Sequence, residues 1–257
     1  MPEYIDSHSH IHDKEFYDDR EGVLMRMKEK KVWTIAVGTH NKSSKEAVEL
    51  ASTEDGVFAT IGIHPTDKIG EGMNEALFED LIQNPKVVGI GECGLDYYRA
   101  KDGSEEEKKR QKDLFEKQIH FALEHDKPLM IHSRNAYPDT LEILKSFSDN
   151  SKLRGNIHFF AGNLVEAKQF LDLGFTMSFT GVITFTNDYD ETVRFVPLDS
   201  ILSETDAPFV TPDPFRGKKN EPSYVDLVVQ KIAFLRDEPL EIVKEAMVEN
   251  TLRVFGF

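Results

Sequence analysis

Residues 5–13 read IDSHSHIHD, with His8, His10 and His12 at every second position and an aspartate on either side. They are three of nine histidines in the chain. The run that carries them begins EYI and has strand character. A strand's two-residue side-chain period puts His8 and His10 on one face, close enough to share an ion. A short strand ending in metal-capable side chains is the unit from which the remaining sequence can be read.

The unit recurs. Apolar runs with strand character occur at 3–10 (EYIDSHSH), 33–39 (WTIAVGT), 57–64 (VFATIGIH), 87–92 (VVGIGE), 128–133 (PLMIHS), 155–160 (GNIHFF), 175–181 (FTMSFTG) and 200–206 (SILSETD). Between them lie segments with helical spacing of apolar residues, including 23–27, 43–52, 75–83, 114–125, 140–147, 165–174 and 223–237. Ser43, Asn74, Asn163 and Ser223 precede helical patterns as candidate caps, and Gly174 stands at a helix end. The segment between the last two runs, DYDETVRFV (188–196), is the shortest helical candidate. Eight strand-like runs, nearly all followed by a helix-like one, predict a parallel sheet with crossover helices. That number and the 257-residue length match an α/β protein of the (β/α)8 TIM-barrel class, expected as one domain over residues 1–257. An open, doubly wound sheet is the alternative that periodicity leaves standing.

His64 ends the third run, Glu92 the fourth, His132 the fifth and Asp206 the eighth, while His158 lies in the sixth. In a barrel, the C-terminal strand ends converge on one face, where active sites are built. A lone histidine in an apolar run is usually a hydrogen-bonded core residue, and a lone acid after a strand is usually a cap. Seven such coincidences at corresponding positions argue instead for a shared metal centre. Imidazole and carboxylate donors suit a borderline divalent ion, with Zn, Mg or Mn as candidates. Four or more histidines and two carboxylates exceed what one tetrahedral ion needs, so two divalent metal ions sharing a carboxylate are expected. His12 is expected beside the centre rather than in it, and His40, His120 and His125 as surface or structural residues.

The composition sets bounds. A net charge of −15 argues against broad, non-specific attraction to nucleic acid or anionic membranes, although metal ions can reverse the field inside a cleft. The single cysteine, Cys93, excludes an intramolecular disulfide framework and suits a reducing compartment. No basic-plus-apolar leader precedes Tyr4, and no apolar run approaches the roughly 20 residues of a membrane span. A cytoplasmic protein with no membrane association is the expectation, acting as a monomer without an obligate protein partner.

Together the motifs IDSHSHIH, IGIHP, GIGECGLDYYR, PLMIHSRNAYPDTLEIL, SETDAPFVTP, FRGKKNEP and NTLRVF resemble the TatD family of metal-dependent deoxyribonucleases, within the amidohydrolase-like barrels, from about Tyr4 to Phe255. The resemblance implies that His8, His10, Glu92 and Asp206 hold one ion, and that Glu92, His132 and His158 hold the other. His64 matches a position near the substrate phosphate. The family commonly has an acid where His12 stands, and usually CFSG where this chain has FFAG at 159–162. The implied activity is hydrolysis of phosphodiester bonds at DNA 3′ ends, single strands included, with Glu92 and Asp206 as the catalytic carboxylates. Arg99, Arg134 and Arg216 are candidate phosphate contacts, because guanidinium groups pair with phosphate through parallel hydrogen bonds. Lys218 and Lys219 add charge on the Arg216 loop, and Tyr97, Tyr98, Phe159 and Phe160 are candidates for stacking on a terminal base. Cleavage of another ester or amide, such as D-aminoacyl-tRNA, and a non-catalytic metal- or nucleic-acid-binding role are the competing readings.

Overall fold

All eight strand-like runs form strands, and every neighbouring pair is parallel. A computed structural model describes residues 1–67, 72–100 and 104–257. Its strands are β1 (Tyr4–Ser9), β2 (Val32–Val37), β3 (Val57–Ile61), β4 (Val87–Asp96), β5 (Leu129–Arg134), β6 (Gly155–Ile157), β7 (Thr176–Phe179) and β8 (Ile201–Ser203). They lie in one sheet in sequence order. The ring closes where the loop after β8 meets the end of β1: Ser9 bridges Ala207, and the amide of His10 donates to the Ala207 carbonyl at 2.7 Å. This is the (β/α)8 barrel, and the open-sheet alternative is excluded by that closure.

The helices α1 (Arg20–Glu29), α2 (Asn41–Thr53), α3 (Glu75–Leu81), α4 (Glu105–Glu124), α5 (Tyr137–Ser146), α6 (Leu164–Asp172), α7 (Asp190–Phe195), α8 (Val225–Arg236) and α9 (Leu240–Phe255) surround the strands. The expected cap Asn163 makes a full capping box, its side chain accepting from the Glu166 amide while Glu166 reaches back to the Asn163 amide. Asn74 caps α3 from one side only, its side chain accepting from the Leu77 amide at 3.2 Å. At α2 the cap is His40, whose Nδ1 accepts from the Ser43 amide, so Ser43 lies inside the helix rather than before it. Ser223 lies in a short 3-10 turn and caps nothing.

Two helices exceed the sequence expectation. α4 starts nine residues before the apolar pattern at Leu114, because Ser104 caps it and Glu105, Glu106 and Glu107 complement the positive end of the helix dipole. α9 lies beyond the last helical pattern of the sequence, at 223–237. It packs on β1 and β8, and its Phe255 joins Ile35, Val37, Val88 and Met130 in a second apolar cluster. Among the described residues, no helix is long and apolar enough to cross a membrane.

Candidate metal centre

Most of the predicted side chains stand just past their strands. β1 ends before His10, β3 before His64, β6 before His158 and β8 before Asp206. Glu92 and His132 differ from expectation: β4 continues past Glu92 to Asp96, with a register shift between Ile90 and Cys93, and β5 runs on past His132 to Arg134. Glycines permit the approach. A Cβ on Gly62 would lie 2.3 Å from the Gly91 carbonyl carbon, and Gly91 itself adopts φ +150 with Met130 O where its Cβ would be. The GIG of this strand therefore brings β3, β4 and β5 together around Glu92.

The result is a buried carboxylate with a different company at each oxygen. Glu92 Oε2 lies 3.6 Å from His8 Nε2 and 3.8 Å from His10 Nε2. Oε1 lies 2.9 Å from His132 Nδ1, 3.3 Å from His158 Nε2 and 3.4 Å from His64 Nε2. Asp206 Oδ1 completes the first side at 3.7 Å from His8 Nε2 and 3.6 Å from His10 Nε2. Two sets, His8 with His10 and Glu92, and Glu92 with His132 and His158, each bring one donor atom per residue within 4.8 Å of the others. That spacing suits a divalent ion in each set.

Charge and protonation point the same way. Burial pushes the Glu92 carboxyl up, but His64, His158 and a hydrogen bond from His132 outweigh it and hold it well below the usual range. Burial, helped by His158, drives His8 well below the usual imidazole range. His10 donates from Nδ1 to the Val37 carbonyl at 3.0 Å, and its Nε2 faces the His8 Nε2 at 3.4 Å. Two imidazole nitrogens that close need a proton or a cation between them. Against the effect of burial, neighbouring carboxylates raise His10 to about 9 and lift His132 and His158 above the usual range, so the acids hold positive charge among these rings, and divalent ions bound there would take the place of those protons.

His64 presents the opposite face. The amide of Thr66, which can only donate, points at His64 Nδ1 at 3.1 Å, so the ring proton sits on Nε2. Burial lowers the His64 pKa, which keeps the ring neutral. His64 thus offers the cavity an N–H rather than a lone pair, as a hydrogen-bond donor to an anion would.

Arg99, Arg134, Phe159, Tyr189 and Phe209 share with the cluster the walls of a cavity of about 810 Å³. Neither Arg99 nor Arg134 has a carboxylate partner among the described residues, and Arg134 lies 4.0 Å over the exposed Tyr98 ring. The structure does not bring Arg216 into this wall: it donates to the Thr211 carbonyl and stacks on Phe185 at 3.7 Å. Lys219 is held by the Glu15 carbonyl, and Lys218 lies over Phe215. Tyr97 hydrogen-bonds Asp139, and Phe160 is core, packed against Tyr137 and Phe170, so neither is free to stack on a base. His12 is buried beside the centre, its Nε2 2.8 Å from the Ser43 hydroxyl and 3.3 Å from Asp13. His120 packs on Phe147 and His125 on Phe121, away from the site.

Three acids escaped the sequence reading. Asp96 Oδ2 is 3.2 Å from His132 Nε2, and Glu204 Oε1 is 3.1 Å from His158 Nδ1. Asp6 accepts from Thr205, Thr34 and the His8 amide beneath the cluster. Each lies two residues from a predicted ligand or four along its strand, so the period-two pattern held their signal.

Over residues 5–256 the chain matches the family described as TatD related DNase. It is 38% identical over 255 residues, covering 98% of both chains, to the uncharacterized metal-dependent hydrolase YabD of Bacillus subtilis. It is 34% identical over 257 residues to the uncharacterized metal-dependent hydrolase YcfH of Escherichia coli, covering 98% of this chain and 95% of that one. The crystal structure of the TatD homolog YJJV from E. coli superimposes with a TM-score of 0.89 at 28% identity, over 99% of this chain and 98% of the other. With its barrel, its ligand-rich strand ends and these relatives, this chain belongs to the TatD family of metal-dependent hydrolases.

Proposed function

We propose that the chain is a nuclease that shortens DNA from its 3′ end with two divalent ions, one on each side of Glu92. The observation that carries this reading is the division of the Glu92 oxygens between His8, His10 and Asp206 on one side and His132 and His158 on the other. Ions bound there would acidify water and neutralise charge on a phosphodiester. The chain's own residues supply the rest. Asp206, 13% exposed at its side chain against 5% for Glu92, is the more open of the two ligand carboxylates and is placed to orient a water and take its proton. The Nε2–H of His64 donates to a phosphate oxygen, and Arg99 and Arg134 hold the flanking phosphate from the cavity wall. Phe159, Tyr189 and Phe209 provide aromatic surface for the terminal base.

The choice of phosphate rests on two guanidinium groups at the cavity, neither with a carboxylate partner among the described residues, in a chain with net charge −15. The test uses metal-stripped protein and 3′-labelled single-stranded DNA, with Zn²⁺, Mn²⁺ or Mg²⁺ restored. Stepwise shortening that requires metal, and that is lost in Glu92→Ala, supports the reading. Absence of shortening with all three ions would overturn it.

A further inference from the structure

The two acids that back His132 and His158 differ in how they divide their oxygens. Glu204 uses one oxygen twice: Oε1 accepts from the Phe159 amide at 2.8 Å and from His158 Nδ1 at 3.1 Å, while Oε2 accepts from the Ser178 hydroxyl at 2.6 Å. Asp96 splits its duties: Oδ1 accepts from the Arg99 amide at 2.7 Å, and Oδ2 alone faces His132 Nε2 at 3.2 Å. Each imidazole is gripped by the nitrogen remote from Glu92, and those nitrogens are Nδ1 in His158 and Nε2 in His132.

We propose that Asp96 and Glu204 are positioning residues that fix opposite tautomers in the ion-loaded centre, His132 protonated on Nε2 and His158 on Nδ1, so that both keep a lone pair for an ion beside Glu92 Oε1. The purpose of this arrangement rests on the two-ion reading, because a lone pair is what a second ion would need there. Glu92 and the backing acids all only accept, so both nitrogens of each ring face an acceptor; with an ion against the Glu92-facing nitrogen, the one remaining ring proton stands on the nitrogen facing Asp96 or Glu204.

The unequal division of oxygens yields a distinction that charge alone does not. In Glu204→Gln, the amide oxygen must stay opposite the Phe159 N–H, which has no alternative to donating. That same oxygen goes on accepting from His158, so its tautomer is retained. The amide NH₂ then faces the Ser178 oxygen, which has acceptor capacity because its own proton can turn to the Ile157 carbonyl. In Asp96→Asn, the oxygen must likewise stay opposite the Arg99 N–H, which places the NH₂ against His132 Nε2. Two donors then meet, and the imidazole is the partner that can change. Its proton moves to Nδ1, and the lone pair facing Glu92 is lost. Both variants remove one carboxylate of nearly identical shape, yet only one inverts a ligand.

The experiment is ¹⁵N-histidine NMR together with Zn²⁺ titration by calorimetry on the full chain. In the Zn²⁺-loaded wild type, His158 carries its proton on Nδ1 and His132 on Nε2. Glu204→Gln keeps both patterns. Asp96→Asn shows His132 protonated on Nδ1 and binds Zn²⁺ at the Glu92, His132 and His158 set at least tenfold more weakly than Glu204→Gln, within the range that loss of ligand support brings. The inverse pattern in the wild type, an unchanged His132 in Asp96→Asn, or equal affinity losses in the two variants would overturn the inference. The spectra do not depend on DNA cleavage, so a failed nuclease assay overturns the proposed substrate and leaves this reading standing or falling by itself.

Discussion

The amide of Asp206 donates to the carbonyl of His8 at 2.9 Å, joining the loop after the last strand to the end of the first. The same two residues face each other through their side chains, Asp206 Oδ1 and His8 Nε2 being 3.7 Å apart. The seam that closes the barrel is therefore also one wall of the candidate metal centre. Ions bound across it would tie the two chain ends of the barrel together.

Metal binding is accordingly expected to stabilise the fold. An ion present at 100 times its dissociation constant adds about 2.7 kcal/mol by mass action. For a chain of this size that corresponds to roughly 5–10 °C in melting temperature, at about 2–4 °C per kcal/mol. Differential scanning calorimetry with Zn²⁺ against excess chelator measures it, and an unchanged Tm would contradict the placement of ligands across the seam.

Glu92→Gln and Asp206→Asn should fail in different ways. Glu92 faces both ligand sets, so its amide variant is expected to lose metal occupancy and activity together. Asp206 touches only the His8 and His10 side. Its amide variant should retain the His132 and His158 side and lower kcat about 10²–10⁴-fold, as removal of a positioned base does. Metal analysis beside DNA-cleavage kinetics separates the two, and a full metal complement in Glu92→Gln would count against its bridging position.

His12 is a support rather than a ligand in this geometry. Its Nε2 is engaged by Ser43 and Asp13, while its Nδ1 is buried without a hydrogen-bond partner among the described residues. His12→Ala should leave the number of bound ions unchanged and cost stability on the order of 1–3 kcal/mol, the penalty for unpairing a buried polar group. Urea unfolding and metal analysis of the purified variant check both statements, and loss of an ion would show that the ring has a direct part.

Cys93 is fully buried, and burial pushes its thiol far above the usual range. The thiolate is the reactive form, so raising the pH to about 9 should accelerate alkylation of the native protein very little. A thiol-specific chromogenic reagent is expected to find no reactive group in the native chain and one after unfolding. Rapid labelling of native protein would show that the strand carrying Glu92 opens readily.

Phe255 packs against Ile35, Val88 and Met130, on the helix absent from the sequence expectation. Phe255→Ala is expected to cost about 3–5 kcal/mol, as large-to-small core replacements do. Kinetic constants should stay close to wild type below the unfolding temperature, since the substitution lies outside the cavity walls. A variant of native stability would mean that α9 contributes little to the barrel.

The barrel was legible because strand ends carry the unusual residues. His8, His10, His64, Glu92, His132 and Asp206 mark their strands as clearly as apolar runs do. What resisted reading was support by polar residues inside the barrel. Glu204 and Asp96 look like loop acids in SETD and GLDY, and only the folded chain sets them behind His158 and His132. The reach of Arg216 was overestimated for the opposite reason: a cation near a motif in sequence is spent on Phe185 in space. The first half of α4 carries mostly charged residues, and so its helix rests on the Ser104 cap and end charges rather than on an apolar stripe.

The central claim is that Glu92 stands between two ions. Crystals grown with Zn²⁺ and measured on both sides of the zinc absorption edge would locate them by anomalous scattering. Two peaks are predicted, one among His8, His10, Glu92 and Asp206 and the other among Glu92, His132 and His158. A fully occupied peak on one side only, or density for zinc remote from the Glu92 carboxylate, would contradict the account.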